Sequence, residues 1–458
     1  MKEQGFSSVR SCEASPKSSC HVATLEYSSS GSERLPLAHL AVLNSSFTAL
    51  VKSKSTKILA LTGRRDFLSD GVWDYCKRLA DALRPHGLEM ELSELDWERS
   101  GWAAALRRIR SQLQEARFEW ALLQYTAIGW SKRGIPVGAL VVAWIVKRQR
   151  VRLAVVFHEP YGFQARGTWA RFRFAFQQWV IRRLYTLADV AIFTVSMQVL
   201  PWLRPSDPTA RMIPIGSNIP ENLAPRELSR SADVPKTVAV FCVTSAGRTA
   251  WEVAEIAAAV RHARESVPRL RLVVFGRGAL EARCLLENAL AGSDIELSIS
   301  GVLPATDVAR ILSEADALLY VRDALMPQRG SALAAVACGL PLVSYGDEAV
   351  CFPLSEAGIL LARPGDRRAL WSSLVRVLAD ETVWASLHHR SLSAYRKYFA
   401  WDEIAREYAA ALQVQDSPSP ASALQPTLAT YERSGDSFQV VSDTCGGKFQ
   451  DGEASNGR

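Results

Sequence analysis

Arg322 to Ser344 reads RDALMPQRGSALAAVACGLPLVS. It starts polar, passes Arg329-Gly330-Ser331, runs through small apolar residues and breaks at Gly339 before Leu340-Pro341-Leu342-Val343. The order is a loop, a helix start and a return to a buried strand, with Ser331 expected as the helix N-cap. Unpaired N–H groups at a helix start, the helix dipole and an adjacent arginine together suit an anion such as a diphosphate. A plain capped helix in an α/β domain would read the same way, so the neighbouring segments have to decide.

Upstream, short apolar runs alternate with amphipathic segments. Lys57–Thr62, Leu88–Leu92, Trp120–Tyr125, Val151–Phe157 and Asp189–Val195 read as strands, and Met212–Pro220 as a sixth. Val72–Arg84, Trp102–Ala116, Gly134–Lys147 and Thr168–Leu187 read as the helices between them. The pattern then repeats. Thr237–Val243, Leu270–Phe275, Ile295–Ile299, Ala317–Val321 and Gly358–Ala362 read as strands; Trp251–Glu265, Asp307–Ala315, Arg368–Leu378 and Glu381–Phe399 read as helices. Buried strands alternating with helices predict parallel sheets covered on both faces. The expected fold is therefore α/β, two Rossmann-like domains facing each other across a cleft.

The expected boundaries are a disordered leader over 1–55, a first domain over 56–220, a linker over 221–235, a second domain over 236–400 and a disordered tail over 413–458. The amphipathic helix at 401–412 is expected to pack back on the first domain. The chain has 458 residues, 48% of them hydrophobic, enough for two cores. Its formal charge of +7 favours acidic partners. The cysteines are scattered without CxxC pairs, which argues against a zinc site or disulfide framework and for the reducing cytoplasm. No secretory signal opens the sequence. Its most apolar run, Ile135–Val146, is about half the ~20 residues of a spanning helix. Thr168–Leu187 sets arginines among tryptophans and phenylalanines, which leaves peripheral contact with the inner membrane face open, against a default of arginines snorkelling from a core helix.

Candidate chemistry gathers at strand ends, where open α/β sheets bind ligands. His158 follows the strand Val151–Phe157. In the second half three loops carry Gly247-Arg248, Gly276-Arg277-Gly278 and Arg329-Gly330-Ser331. Three arginines and a helix start could stabilise the charge of a departing nucleoside diphosphate without a metal. There is no GxxxxGK[ST], GxSxG or HExxH, and the third glycine of a dinucleotide fingerprint is missing.

Taken in order, PIGSNIP at Pro214–Pro220, SGVLP at Ser300–Pro304, ALAAVACGLPLV at Ala332–Val343 and WDEIAREY at Trp401–Tyr408 resemble the family-four glycosyltransferases of the GT-B fold, over Lys57 to Leu412. The resemblance implies a nucleotide-sugar donor in the second domain, a glycan or lipid-linked acceptor in the first, and metal-independent transfer with retention. It implies no bound cofactor and no nucleic-acid partner. By position it makes His158 and Arg248 the catalytic candidates, at the donor sugar and the diphosphate. It places Gly330 and Ser331 as donors at the helix start, Gly301 and Val302 beside the base, and Gly71 in a loop under the donor phosphate or acceptor. Arg329 joins the donor-binding set, and Arg277 stands in for a family lysine.

One departure stands out. Many relatives carry two glutamates where this chain has Met326 and Ala334; RDALMPQRGSALAA is similar instead to an arginine-rich RxGS variant. Neither Met326 nor Ala334 can accept a hydrogen bond from a sugar hydroxyl. That keeps a non-catalytic nucleotide-sugar sensor or scaffold in view. A sugar-nucleotide epimerase shares the twin-domain plan.

Overall fold

The computed structural model describes residues 55–63, 71–162, 167–204, 206–219, 234–244 and 247–413. The expected leader up to Lys54, all of the linker but Val234 and Pro235, and the tail beyond Gln413 lie outside these residues, as do Ser69, Asp70, Pro220 and Ala246.

The first sheet contains β1 (Thr56–Gly63), β2 (Leu88–Leu95), β3 (Trp120–Tyr125), β4 (Arg152–Phe157), β5 (Val190–Phe193) and β6 (Ala210–Met212). All pairings are parallel, in the order β2-β1-β3-β4-β5-β6. The second contains β7 (Lys236–Phe241), β8 (Leu270–Phe275), β9 (Ile295–Ile299), β10 (Ala317–Tyr320), β11 (Leu342–Tyr345) and β12 (Ile359–Ala362). It is also parallel, in the order β12-β11-β10-β7-β8-β9. Each order reverses direction once, between β1 and β3 and between β7 and β10. Those reversals open the crevices in which such sheets hold ligands.

The residues explain the sheets. All six residues of β3 are buried, as expected of a parallel strand covered on both sides. Its side chains alternate between two cores. Ala121, Leu123 and Tyr125 join Leu59, Leu153 and Phe157 under the helices α2 (Trp102–Glu115), α3 (Val137–Arg148) and α4 (Thr168–Leu187). Trp120 and Leu122 join Ile58, Ala154 and Val156 on the opposite face. That face is covered by α1 (Gly71–Leu83) together with the helix Trp401–Gln413. At the first reversal Gly63 is required by close approach, because a Cβ there would lie 2.0 Å from the Gly129 carbonyl oxygen.

The second sheet is sandwiched in the same way. Its crossovers are α5 (Thr249–Ser266), α6 (Arg283–Leu290), α7 (Ala305–Glu314) and α8 (Gly330–Ala337); α9 (Arg367–Ala379) and α10 (Glu381–Ala394) follow it. After a π-helical turn at Tyr395–Phe399, α11 (Trp401–Gln413) returns to the first sheet. There Trp401, Ile404 and Tyr408 pack with Tyr75 and Leu79 of α1. Trp401 Nε1 donates to the Ser217 carbonyl at 2.7 Å, and the buried hydroxyls of Tyr75 and Tyr408 meet at 2.7 Å.

Three local expectations change. Met212–Pro220 is not a strand: only Ala210–Met212 pairs with β5, because Pro214 has no N–H to continue a ladder. The segment 213–219 crosses between the halves, with Ile215 packed against a core of each sheet and Ile219 inside the second. The helix expected from Gly134 starts at Val137, after a turn in which Gly134 has φ +70°. Ser331 is not the N-cap. Arg329 holds that position in an extended conformation without a side-chain cap, and Ser331 lies within the first turn.

Candidate functional site

The loop after β10 is fixed from beneath before it presents any charge. Leu325 is buried, its N–H bonds the Tyr345 carbonyl at 2.8 Å, and its carbonyl accepts the Cys351 thiol at 2.9 Å. On that base stand Arg322, Asp323 and Arg329. The loop after β7 is held by its own helix: the Glu252 carboxylate accepts the Thr244 N–H at 2.8 Å, and the Thr249 hydroxyl donates to the Thr244 carbonyl at 2.7 Å. Arg248 projects from this loop over the Trp251 ring, 5.1 Å from its centre.

These two loops flank the second reversal, and Asp323 ties them together. Its carboxylate pairs with Arg248 from one loop and, at 3.7 Å, with Arg329 from the other. All three side chains are about half exposed, so the pairs are weak as stabilisers, about 0 to 1 kcal/mol each. Arg322 lies deeper. Its guanidinium sits 5.1 Å from the centre of the Tyr320 ring and donates to the Ser331 hydroxyl at 3.3 Å.

Beneath the arginines, several polar atoms are buried without a partner: Nε of Arg322 and of Arg329, Oε1 of Glu252 and the Tyr320 hydroxyl. Burial raises the Glu252 carboxyl above its ordinary range, against the opposing pull of the Thr244 donors and Arg322. Burial likewise raises the Tyr320 phenol, against Arg329 and Arg322. A cluster in which three guanidinium groups outnumber two carboxyls, one of them inclined to protonate, is suited to an anion. The N–H groups of Gly330 and Ser331 at the start of α8 add to it, since neither has an acceptor within the helix.

Arg277 is exposed on the neighbouring loop. Its carbonyl accepts the Val243 N–H at 2.9 Å, which holds the β7 and β8 ends side by side. The glycines around it serve this packing: at Gly278, with φ +74°, a Cβ would lie 2.1 Å from the Val243 carbonyl oxygen. Gly301 and Val302 follow the edge strand β9, at one flank of the site. The Gly301 carbonyl accepts the Gly276 N–H at 2.9 Å, and Val302 is 75% exposed. The structure thus brings the loops of Arg248, Arg277 and Arg329 together along three adjacent strands.

His158 comes from the other half, at the end of β4. Its Nε2 lies 2.7 Å from Gln124 Oε1 on β3, a side-chain hydrogen bond that fixes the plane of the imidazole. Its ring and that of Tyr75 meet edge to face, with centroids 5.2 Å apart. Its carbonyl accepts the Gln328 side-chain amide at 3.3 Å, which joins the two halves. Gly71 opens α1 and is exposed, while the loop before it, 64–70, lies outside the described residues. Sequence reasoning overlooked Arg322, Asp323, Glu252, Gln124 and Gln328. Arg322 and Asp323 could have been found from their place directly after a buried strand, whereas Glu252 reads as an ordinary helix residue. Among the described residues no group of three or more histidine, cysteine, aspartate or glutamate side chains is placed to hold a metal ion.

No family model matches the chain, and no curated protein matches it in sequence. Solved structures do match in fold. HepE of Anabaena, solved with UDP and glucose, is 14% identical with a TM-score of 0.54, covering 78% of this chain and 99% of its own. A glycosyltransferase of Rickettsia africae is 12% identical with a TM-score of 0.55, covering 79% and 99%. A candidate UDP-N-acetylglucosamine 2-epimerase of Listeria monocytogenes is 14% identical with a TM-score of 0.53, covering 78% and 96%. The fold is GT-B, two Rossmann-like halves facing each other across a cleft.

Proposed function

We propose that this protein is a glycosyltransferase that moves a sugar from a nucleoside-diphosphate sugar to a glycan or lipid-linked acceptor. The observation that carries the reading is the arginine cluster at the second reversal, with Arg248, Arg322 and Arg329 converging beside the start of α8. The UDP bound to Anabaena HepE supports the donor class. Arg277, Gly301 and Val302 would complete the donor side toward the base. The RxGS form of the motif belongs to this proposal, with Arg329, Gly330 and Ser331 taking the diphosphate.

In the proposed reaction the bond between the anomeric carbon and the diphosphate oxygen breaks, and the oxygen keeps the electron pair. The acceptor hydroxyl forms the new bond to that carbon. Its proton passes to the departing oxygen on the same face, so configuration is retained. Arg248 and Arg329 neutralise the charge that grows on the leaving group, which is the largest contribution fixed dipoles and charges can make to such a step. His158, aligned by Gln124 and Tyr75, borders the sugar from the opposite half.

A second reading has its own observation. Ala334 is buried inside α8 and Met326 is apolar, so neither position offers the acceptor for a ribose or sugar hydroxyl that a glutamate would. A non-catalytic nucleotide-sugar sensor would tolerate that loss. The purified chain incubated with a donor panel separates the readings. Transfer to an acceptor extract supports the enzyme, and tight binding without turnover supports the sensor. Conversion of the donor with no acceptor present would instead indicate an epimerase. Folded protein that neither binds nor turns over any donor would refute the proposal.

A further inference from the structure

The layer of α2, α3 and α4 over the first sheet carries a surface that the donor site does not use. Helix α4 buries Ala170, Gln177, Val180, Ile181 and Leu184. Its outer side presents large rings: Trp169 is 61% exposed, Phe172 55% and Trp179 47%. These form a ladder through Phe176, with successive centroids 5.5, 6.2 and 5.5 Å apart. Beside it α3 turns Val137, Val141 and Trp144 outward at helical spacing, and Trp144 is 53% exposed. Single exposed apolar residues are ordinary, but a ladder of rings along α4 with large apolar side chains turned outward on the adjacent α3 marks an interaction surface.

Its charge selects the occupant. Neither α3 nor α4 contains an aspartate or glutamate, while α4 carries Arg171, Arg182 and Arg183 exposed around the rings. On α2, next in the layer, Arg107, Arg108 and Arg110 are exposed as well. Lys147, at the end of α3, is paired with Asp189 at 2.8 Å and contributes less. Rings that can sit at headgroup depth, framed by arginines and free of acids along both helices, complement an anionic lipid surface. No helix among the described residues is long and apolar enough to cross a membrane, so such contact would lie in the interface plane.

We propose that the outer face of α3 and α4 docks this protein on anionic membranes. Both helices begin just beyond the C-terminal edge of their sheet, the edge at which His158 stands. Docking there would set the cleft beside the bilayer, where a lipid-linked acceptor would be presented. The docking itself does not depend on the proposed transfer activity.

The test is sedimentation of the full chain with vesicles of phosphatidylcholine alone or mixed with phosphatidylglycerol. We expect binding to the mixed vesicles only, weakening as salt screens the arginines. The Trp144→Ser/Phe172→Ser/Trp179→Ser variant should partition about tenfold less, and Arg171→Gln/Arg182→Gln/Arg183→Gln should lose its preference for the anionic lipid. Quenching of wild-type tryptophan fluorescence by brominated lipid reads the same contact without any substitution. The proposal fails if folded protein ignores anionic vesicles, if neither variant changes binding, or if the face proves to join two copies that separate in the triple variants. Donor binding measured in solution should be the same in all variants, so failure here and failure of the proposed function are distinguishable.

Discussion

The side-chain amide of Gln328 donates to the backbone carbonyl of His158 across the cleft, at 3.3 Å. One partner belongs to the arginine-bearing loop after β10, the other to the end of β4. The contact places the two candidate catalytic elements within one hydrogen bond of each other. A single neutral bond of this length contributes about 0.5 to 1 kcal/mol. Gln328→Ala should therefore lower stability by less than about 1 kcal/mol, while amide exchange in the loop 322–330 speeds up. Unchanged exchange there would show that the bond does not restrain the loop.

Asp323 occupies the place between Arg248 and Arg329 that an anionic ligand would compete for. Asp323→Asn removes that competitor and should tighten UDP binding severalfold, by about 0.5 to 1 kcal/mol, the scale of a half-exposed pair. Arg248→Ala and Arg329→Ala should each weaken UDP by about 1 to 3 kcal/mol, the scale of charged hydrogen bonds. Calorimetric titration measures all three. Affinity unchanged from wild type in both arginine variants would remove the site assignment, and weaker binding in Asp323→Asn would make Asp323 a positioning group instead.

Much of the fold is legible in the sequence, for a physical reason. Parallel strands such as Trp120–Tyr125 are buried on both faces and read as apolar runs, and helices such as Thr168–Leu187 declare themselves by length and aromatic content. The loops at strand ends follow from that alternation, and they carry Arg248, Arg329 and His158. What was not legible depends on contacts distant in sequence. Arg322 matters because it meets Ser331 beneath the loop, and Gln124 because it aligns His158 from another strand. Serine favours a helix start, which suggests Ser331 as the cap; the helix instead begins at Gly330 with Arg329 at the N-cap, so Ser331 falls in the first turn, where its hydroxyl accepts from Arg322.

Glu252 should leave a mark on pH dependence. Its carboxyl is raised by burial in the folded state, so the folded protein holds that proton more tightly than the unfolded chain. The group favours folding below the ordinary carboxylate pKa, and that contribution is lost as pH rises through the raised value. Glu252→Gln removes the cost of a buried charge while keeping an oxygen for the Thr244 N–H. The variant should be more stable than wild type at neutral pH, and the gap should close as the solution is acidified. Urea unfolding at a series of pH values tests this, and a gap that widens toward acid would reverse the sign.

Helix α11 is held to the first half by a buried pair whose cost can be isolated. Tyr75 and Tyr408 meet hydroxyl to hydroxyl at 2.7 Å, with no exposure on Tyr408 and almost none on Tyr75. Burial raises both phenols well above their usual value, so neither ionises in the working range and the bond is neutral. Tyr408→Phe would strand the Tyr75 hydroxyl in an apolar core with Leu79 and Trp401, at a cost of about 1 to 3 kcal/mol. Tyr75→Phe strands the other. The double variant strands neither, so it should be less destabilised than the two single changes added together, with a coupling of about 0.5 to 3 kcal/mol. Chemical denaturation of the four proteins closes the cycle; strict additivity would mean that the hydroxyl pair adds nothing to what holds α11 in place.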